Sequence, residues 1–158
     1  MSDFLLRTAT ADDAPLILEM LRDLAIYEKV PESGFCLTQE IVLRDMFGAA
    51  CHCDLAFDGR DAAGIVTWFW TYKSFRGRRG LYVEDLYVKP QFRGRGLGRR
   101  FLMELAGRAR STGGHMEWQV LDWNAPSIEF YKSLGAVPLD DWTIFRVTGP
   151  ALEKLAAM

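Results

Sequence analysis

Several features are scarce in this chain, and each scarcity removes a class of function. No apolar run is long: the longest strongly apolar stretch, Ile65 to Trp70, is far too short to cross a bilayer, so no membrane span or membrane partner is expected. There is no basic surplus. The 19 Lys and Arg stand against 21 Asp and Glu for a net charge of −2, which is not the balance of a protein that lives on nucleic-acid phosphates. The start, MSDFLLRTATADD, places acids where a secretory signal carries a basic region and a long apolar block. Cysteine is limited to three, an odd number that predicts free thiols in a reducing, cytoplasmic compartment. Histidine is limited to His52 and His115. Cys51-His52-Cys53 therefore lacks a second cluster to complete the ligand set that zinc takes, and in a strand His52 faces away from both cysteines. No metal is expected, and Cys36, Cys51 and Cys53 read as packed residues rather than nucleophiles. No internal repeat or low-complexity segment appears.

The 158 residues amount to one domain spanning 1–158. Hydrophobic residues make up 49% and aromatics 13%, enough to fill a sizeable core. The charge total hides an asymmetry: Arg76 to Arg110 holds nine Arg and one Lys against Glu84, Asp85 and Glu104. Either a small anion sits near that segment or it is a solvated basic face.

Phe4 to Arg7 predicts a short strand. Asp12 and Asp13 open a helix with Pro15 in its first turn, and Ile17, Met20, Leu21 and Leu24 give it one apolar face as far as Lys29. Thr38 caps a second helix carrying Ile41, Val42 and Met46. Cys51 to Phe57 alternates, Asp58-Gly59 signals a hairpin, and Ala62 to Tyr72 is the returning strand. Leu81 to Val88 (LYVEDLYV) is apolar on both faces except at Glu84 and Asp85, as a central strand is. A helix follows with Leu102, Leu105, Ala106 and Ala109 on its core face, then a strand from His115 to Leu121. Asn124 caps a helix with Phe130, Tyr131 and Leu134 that Gly135 ends. Val137 to Val147 predicts a final extended region, and Gly149-Pro150 a short last helix. A meander followed by alternating helices and strands gives a mixed α+β fold: one mixed, mostly antiparallel sheet flanked by helices.

The sharpest signal is Arg93-Gly94-Arg95-Gly96-Leu97-Gly98, between a buried strand and an amphipathic helix. Glycines let the backbone turn tightly and bring its N–H groups close to a phosphate. The helix start adds unpaired N–H groups and the positive end of its dipole, and Arg93, Arg95, Arg99 and Arg100 add full charges. This composition makes a pyrophosphate cradle. A Walker loop is excluded, because Gly98-Arg99-Arg100 stands where Gly-Lys-Ser/Thr is needed. A dinucleotide fingerprint belongs after the first strand of a βαβ unit, not in mid-chain behind a meander.

The pattern Arg-x-x-Gly-x-Gly from Arg93 to Gly98 resembles the coenzyme A loop of the GCN5-related N-acetyltransferases. LYVEDLYVKPQFRGRGLG, LDWNAPSIEFYKSLGA, WTIFRVTGPALEKLA and LAIYEKV are similar to the diamine (spermidine/spermine) and thialysine acetyltransferase branch, so the likeness runs from Phe4 to Ala156. The resemblance implies the acyl-CoA N-acyltransferase fold, acetyl-CoA as cofactor, a small-molecule amine as substrate and a homodimer. It implies that the backbone of Leu86, Tyr87 and Val88 pairs with the pantetheine arm like an added strand. It gives the pyrophosphate to Arg93, Gly94, Arg95, Gly96, Leu97, Gly98 and Arg99, a cofactor contact to Asn124, and a place near the thioester sulfur to Tyr131. Tyr27, Glu28, Phe75, Asp85, Asp140 and Trp142, with Glu84, would line the acceptor pocket.

Amine acetylation calls for matching chemistry. A primary amine of pKa about 10.4 arrives as ammonium and must lose a proton before direct attack on the thioester. Glu84, an acid on an apolar strand, is the candidate base, directly or through water; its alternative is a structural acid paired with an arginine. Asp85 points to the opposite face unless a bulge re-aims it. Tyr131 is the candidate acid for the leaving thiolate; its alternative is a core aromatic. A main-chain N–H of this strand can meet the tetrahedral oxyanion. The family's polyamine enzymes carry a tryptophan where Phe75 stands, and Arg76, Arg78 and Arg79 follow it. A basic loop beside a polycation site is unfavourable, which turns the expectation toward a shorter amine or a thialysine-like amino acid. Acetylation of a protein or peptide amine, and a non-catalytic acyl-CoA-binding sensor, are the rival functions.

Overall fold

The computed structural model describes residues 4–158; the first three residues of the chain lie outside the described residues. These residues divide into two compact units, one running to Asp122 and one from Trp123 to Met158.

The first unit is built on a five-stranded sheet in the order β1 to β5: β1 (Leu5–Thr8), β2 (His52–Asp58), β3 (Asp61–Lys73), β4 (Arg78–Val88) and β5 (Met116–Trp118). The first four strands form the expected antiparallel meander, and β5 joins β4 in parallel. The crossover between them is helix α3 (Leu97–Ser111). Helices α1 (Ala14–Tyr27) and α2 (Gln39–Asp45) cover the other face. Ile17, Met20, Leu21 and Leu24 of α1 pack with Val42, Cys53, Leu55, Ile65 and Tyr87, so the helical spacing read from the sequence is the buried stripe. Thr38 caps α2, its hydroxyl accepting from the N–H of Ile41.

Four details differ from the sequence reading. In β2 the alternation does not mean one wet face: Cys53 and Leu55 pack toward α1, while Asp54 and Ala56 are buried as well. On α3, Phe101 takes the core place expected of Ala106, which is exposed. The strand expected from His115 to Leu121 keeps only Met116–Trp118, because β4 pairs with it only from Leu81 to Val83. β4 begins at Arg78, three residues before the apolar run, and pairs with β3 as far as Lys73.

The second unit holds α4 (Ala125–Ser133) and α5 (Gly149–Ala156). Asn124 caps α4 by accepting from the N–H of Ser127, and Gly135 ends it with φ +87°. Residues 137–147 form no strand, which corrects the extended element expected there.

Candidate active site

The site grows from an irregularity in β4. Thr67 of β3 faces Asp85 and Trp68 faces Val83, so Glu84 is an extra residue, a β-bulge. Tyr87 packs with the α1 side, and Asp85, two residues earlier, shares that face. Trp68 lies on the opposite face, where its indole N–H donates to Asp54 alongside Arg108 of α3. Val83 opposite it belongs there too. The inserted Glu84 therefore lets both acids turn toward the α1 face instead of dividing between the two faces. Both carboxylates act on Cys51, just before β2: burial first, then Asp85, Glu84 and Asp45, push its thiol up to about 11.

Asp85 is half-buried. Burial drives its carboxyl above the usual carboxylate range, and the Thr67 hydroxyl, donating to Oδ2 at 2.5 Å, works the other way. Glu28, the residue that closes α1, is also raised, by burial and then by the charge of Asp85. Neither Asp85 nor Glu28 has an ion-pair partner among the described residues. Two acids thus share a partly dry face with no cation to balance them. Glu84 beside them is exposed.

Past the bulge, β4 has no strand on its β5 side among the described residues, since the β4–β5 ladder stops at Val83. The backbone of Glu84 to Val88 is an open strand edge leading to the glycine loop. Gly94 and Gly96 take φ of +73° and +82°, left-handed values that a side chain adopts only with strain, and a Cβ built on either meets nothing within 4 Å. Gly96 is the N-cap of α3, whose first residue, Leu97, is buried. The loop is thus open above and anchored below, a shape that fits a pyrophosphate on main-chain N–H groups. Its arginines are partly engaged. Arg93 donates to the Val88 carbonyl and lies over the Tyr27 and Tyr87 rings, while Arg95 pairs with Asp58 and lies over Phe4. Arg100 donates to the Phe4 carbonyl, and Arg99 is exposed at the helix start.

Tyr27, Glu28, Glu84, Asp85, the open edge and the loop therefore belong to one unit, and Arg93 links Tyr27 to the loop. Phe75 does not join them. It is fully exposed at the tip of the β3–β4 hairpin, and the six steps from Arg78 to Glu84 span about 20 Å of strand. The basic loop expected beside the acceptor is at that far end: Arg78 donates to the Gly113 carbonyl and Arg79 lies over Trp70. Asp140 and Trp142 are exposed in the irregular segment of the second unit. Tyr131 is half-buried on α4 with its ring beside that of Phe130, and Asn124 is buried. Cys53 is buried and its thiol raised, first by burial, whereas Cys36 is exposed, contrary to the packed place expected for it. His52 turns away from the cysteines, as expected, and stacks on Trp68 at 4.2 Å. The sequence reading missed Thr67, and with it the group Asp54, Trp68 and Arg108. The available signal was a polar residue inside a buried strand, twice.

No helix among the described residues is long and apolar enough to cross a membrane. Residues 18–136 match the model of the Acetyltransferase (GNAT) family. Over 99% of both chains, the sequence is 37% identical to a thialysine N-epsilon-acetyltransferase of Caenorhabditis elegans and 33% identical to one of Bos taurus. An L-ornithine N5-acetyltransferase of Arabidopsis thaliana is 38% identical over 59% of this chain and 41% of its own. A Vibrio cholerae integron cassette protein superposes with TM-score 0.82 at 20% identity, covering 100% of this chain and 99% of that one, a likeness of fold. A meander, a bulge and a glycine loop of this kind accompany a sequence match over most of the chain, and the chain belongs to the GNAT acetyltransferase family. It is an N-acetyltransferase, in a family that uses acetyl-CoA as co-substrate.

Proposed function

We propose that the chain moves acetyl from acetyl-CoA to the side-chain or terminal primary amine of a small molecule, by direct attack. The observation that carries the acceptor side is the pair Glu28 and Asp85, raised carboxylates with no cation paired to them among the described residues. A protonated amine entering there supplies the missing charge, and its binding favours the ionised acids. Glu84, on the bulge next to them, takes a proton from the ammonium nitrogen onto its carboxylate, directly or through one water, and leaves a neutral amine. Tyr27, held by Arg93, offers an aromatic face to the alkyl chain.

On the donor side, Gly94 to Arg99 hold the pyrophosphate, chiefly through main-chain N–H groups. The open edge at Leu86 to Val88 pairs with the extended arm. Bound acetyl-CoA supplies the activated acetyl thioester. By family resemblance Asn124 contacts the same molecule, and the phenol of Tyr131 gives its proton to the departing sulfur. The thialysine and ornithine enzymes among the relatives acetylate ω-amines of amino acids, and we assign this chain to the same acceptor class. Assembly as a homodimer is part of the same resemblance.

A panel of thialysine, ornithine, lysine, diamines, polyamines and Lys peptides tests the reading, with thiol release from acetyl-CoA as readout. The ω-amino acids are expected to turn over best, and no turnover with any amine would overturn the proposal. Gly96→Val in the same assay is expected to lose acetyl-CoA binding with the fold intact, because a β-branched residue at φ +82° is strained and covers the loop.

A further inference from the structure

We propose that Thr67 is a positioning residue for the acceptor: its hydroxyl clamps the bulge and aims the Asp85 carboxylate at the incoming amine. Thr67 is 1% exposed, in the middle of β3. Its Oγ1 donates to Asp85 Oδ2 at 2.5 Å and accepts from the Asp85 main-chain N–H at 3.1 Å. One oxygen therefore holds both the side chain and the backbone of the same residue. A hydroxyl has one proton to give and lone pairs to receive, so the two bonds coexist. The clamp sits at the register step that inserts Glu84, between the pairs Thr67–Asp85 and Trp68–Val83. It uses Oδ2 and leaves Oδ1 without a hydrogen bond among the described residues, on the face shared with Glu28.

A valine fills the same volume in a strand, so packing alone does not require the hydroxyl. The titratable groups facing Asp85 are Glu28 from the end of α1, Cys51 and Cys53 at β2, and Glu84 on its own strand. All are acids or thiols. Among the described residues, the Thr67 proton is then the one hydrogen bond to the side chain that favours the charged carboxylate.

The inference rests on the acceptor reading of Asp85, and its test separates the two. In Thr67→Val, the KM for ornithine or thialysine is expected to rise about tenfold, the usual worth of one hydrogen bond to a charged group. kcat and the KM for acetyl-CoA are expected to stay within about twofold, well inside the scatter of single hydrogen-bond effects. The acid limb of kcat/KM for the amine is expected to move to higher pH, because the hydroxyl holds the Asp85 pKa down. Thr67→Ser is expected to restore both. Should valine disturb the sheet, Thr67→Ala compared with Thr67→Ser gives the same contrast. An unchanged amine KM and limb in Thr67→Val, with Asp85→Asn impaired, overturns the positioning role and leaves the acceptor reading standing. A serine variant as poor as valine overturns it too, since packing then explains the loss. If Asp85→Asn itself binds amine normally, the acceptor reading falls first and the inference with it.

Discussion

Asp54 and Asp85 lie on β2 and β4, on opposite faces of the sheet, and consecutive residues of β3 hold them. Trp68 donates to Asp54 and Thr67 donates to Asp85. There the similarity ends. Asp54 is 5% exposed and takes bonds from the Thr8 hydroxyl, the Trp68 indole and both terminal nitrogens of Arg108. Burial opposes its charge, but these bonds win, and its pKa falls below the usual value. Asp85 has a hydroxyl and, among the described residues, no cation, and its pKa rises. Asp54 thus belongs to the fold and Asp85 is available to a ligand: a buried charge that the chain has already neutralised has nothing left to bind.

Stability measurements should break the pair apart most widely. Asp54→Ala strands the Trp68 N–H, the Thr8 hydroxyl and the Arg108 charge, and is expected to lower the unfolding free energy by about 3 kcal/mol, read by denaturant titration. Asp85→Asn strands no cation and keeps an oxygen to accept from Thr67. It is expected to stay within about 0.5 kcal/mol of the parent or to gain slightly, since a burial-penalised charge is removed. Equal losses in both variants would erase the distinction.

The pH dependence of stability in the absence of ligand sharpens it, with a smaller effect. A lowered native pKa contributes stability that is present above the unfolded value and lost as pH falls. Asp54 behaves so, as does Asp13, which the Arg7 hydrogen bonds hold at about 2. Their contribution disappears below the ordinary aspartate pKa of about 3.9. A raised native pKa has the opposite sign, so the Asp85 and Glu28 contributions are fully present below the unfolded pKa and lost as pH rises through the higher native values. Asp85→Asn is therefore expected to flatten the stability curve on the mildly acidic side above pH 4, roughly where a free aspartate has titrated. Asp54→Asn is expected to flatten it below. Calorimetry across that range checks both signs.

The legible parts of this molecule were those fixed by local pattern. The α1 stripe, the Thr38 and Asn124 caps and the Asp58-Gly59 hairpin follow from spacing and turn chemistry, and the glycine loop from charges and glycines in one place. What hid was set by pairing between strands. Nothing in LYVEDLYV announces that Glu84 is the extra residue; only its register with Thr67 and Trp68 does. Arg78 to Gly80 read as loop because of their charge, yet they extend β4 and carry Phe75 away from the acids. Arg93 read as a phosphate ligand, and the tyrosine faces that also attract it come from distant positions in the chain. Residues 137–147 have strand composition and form no strand.

If the unneutralised acids on the α1 face receive the acceptor amine, steady-state kinetics of Asp85→Asn must register their loss. With an ω-amino acid as acceptor, the amine KM is expected to rise by roughly 10- to 100-fold, the worth of one charged hydrogen-bonded contact. The acetyl-CoA KM is expected to stay within about twofold of the parent, because the donor loop and open edge are untouched, with a normal thermal transition within the ordinary scatter of benign substitutions. An amine KM equal to that of the parent, in a folded variant that still binds acetyl-CoA, would contradict that role of the acids and move the acceptor to another face of the protein.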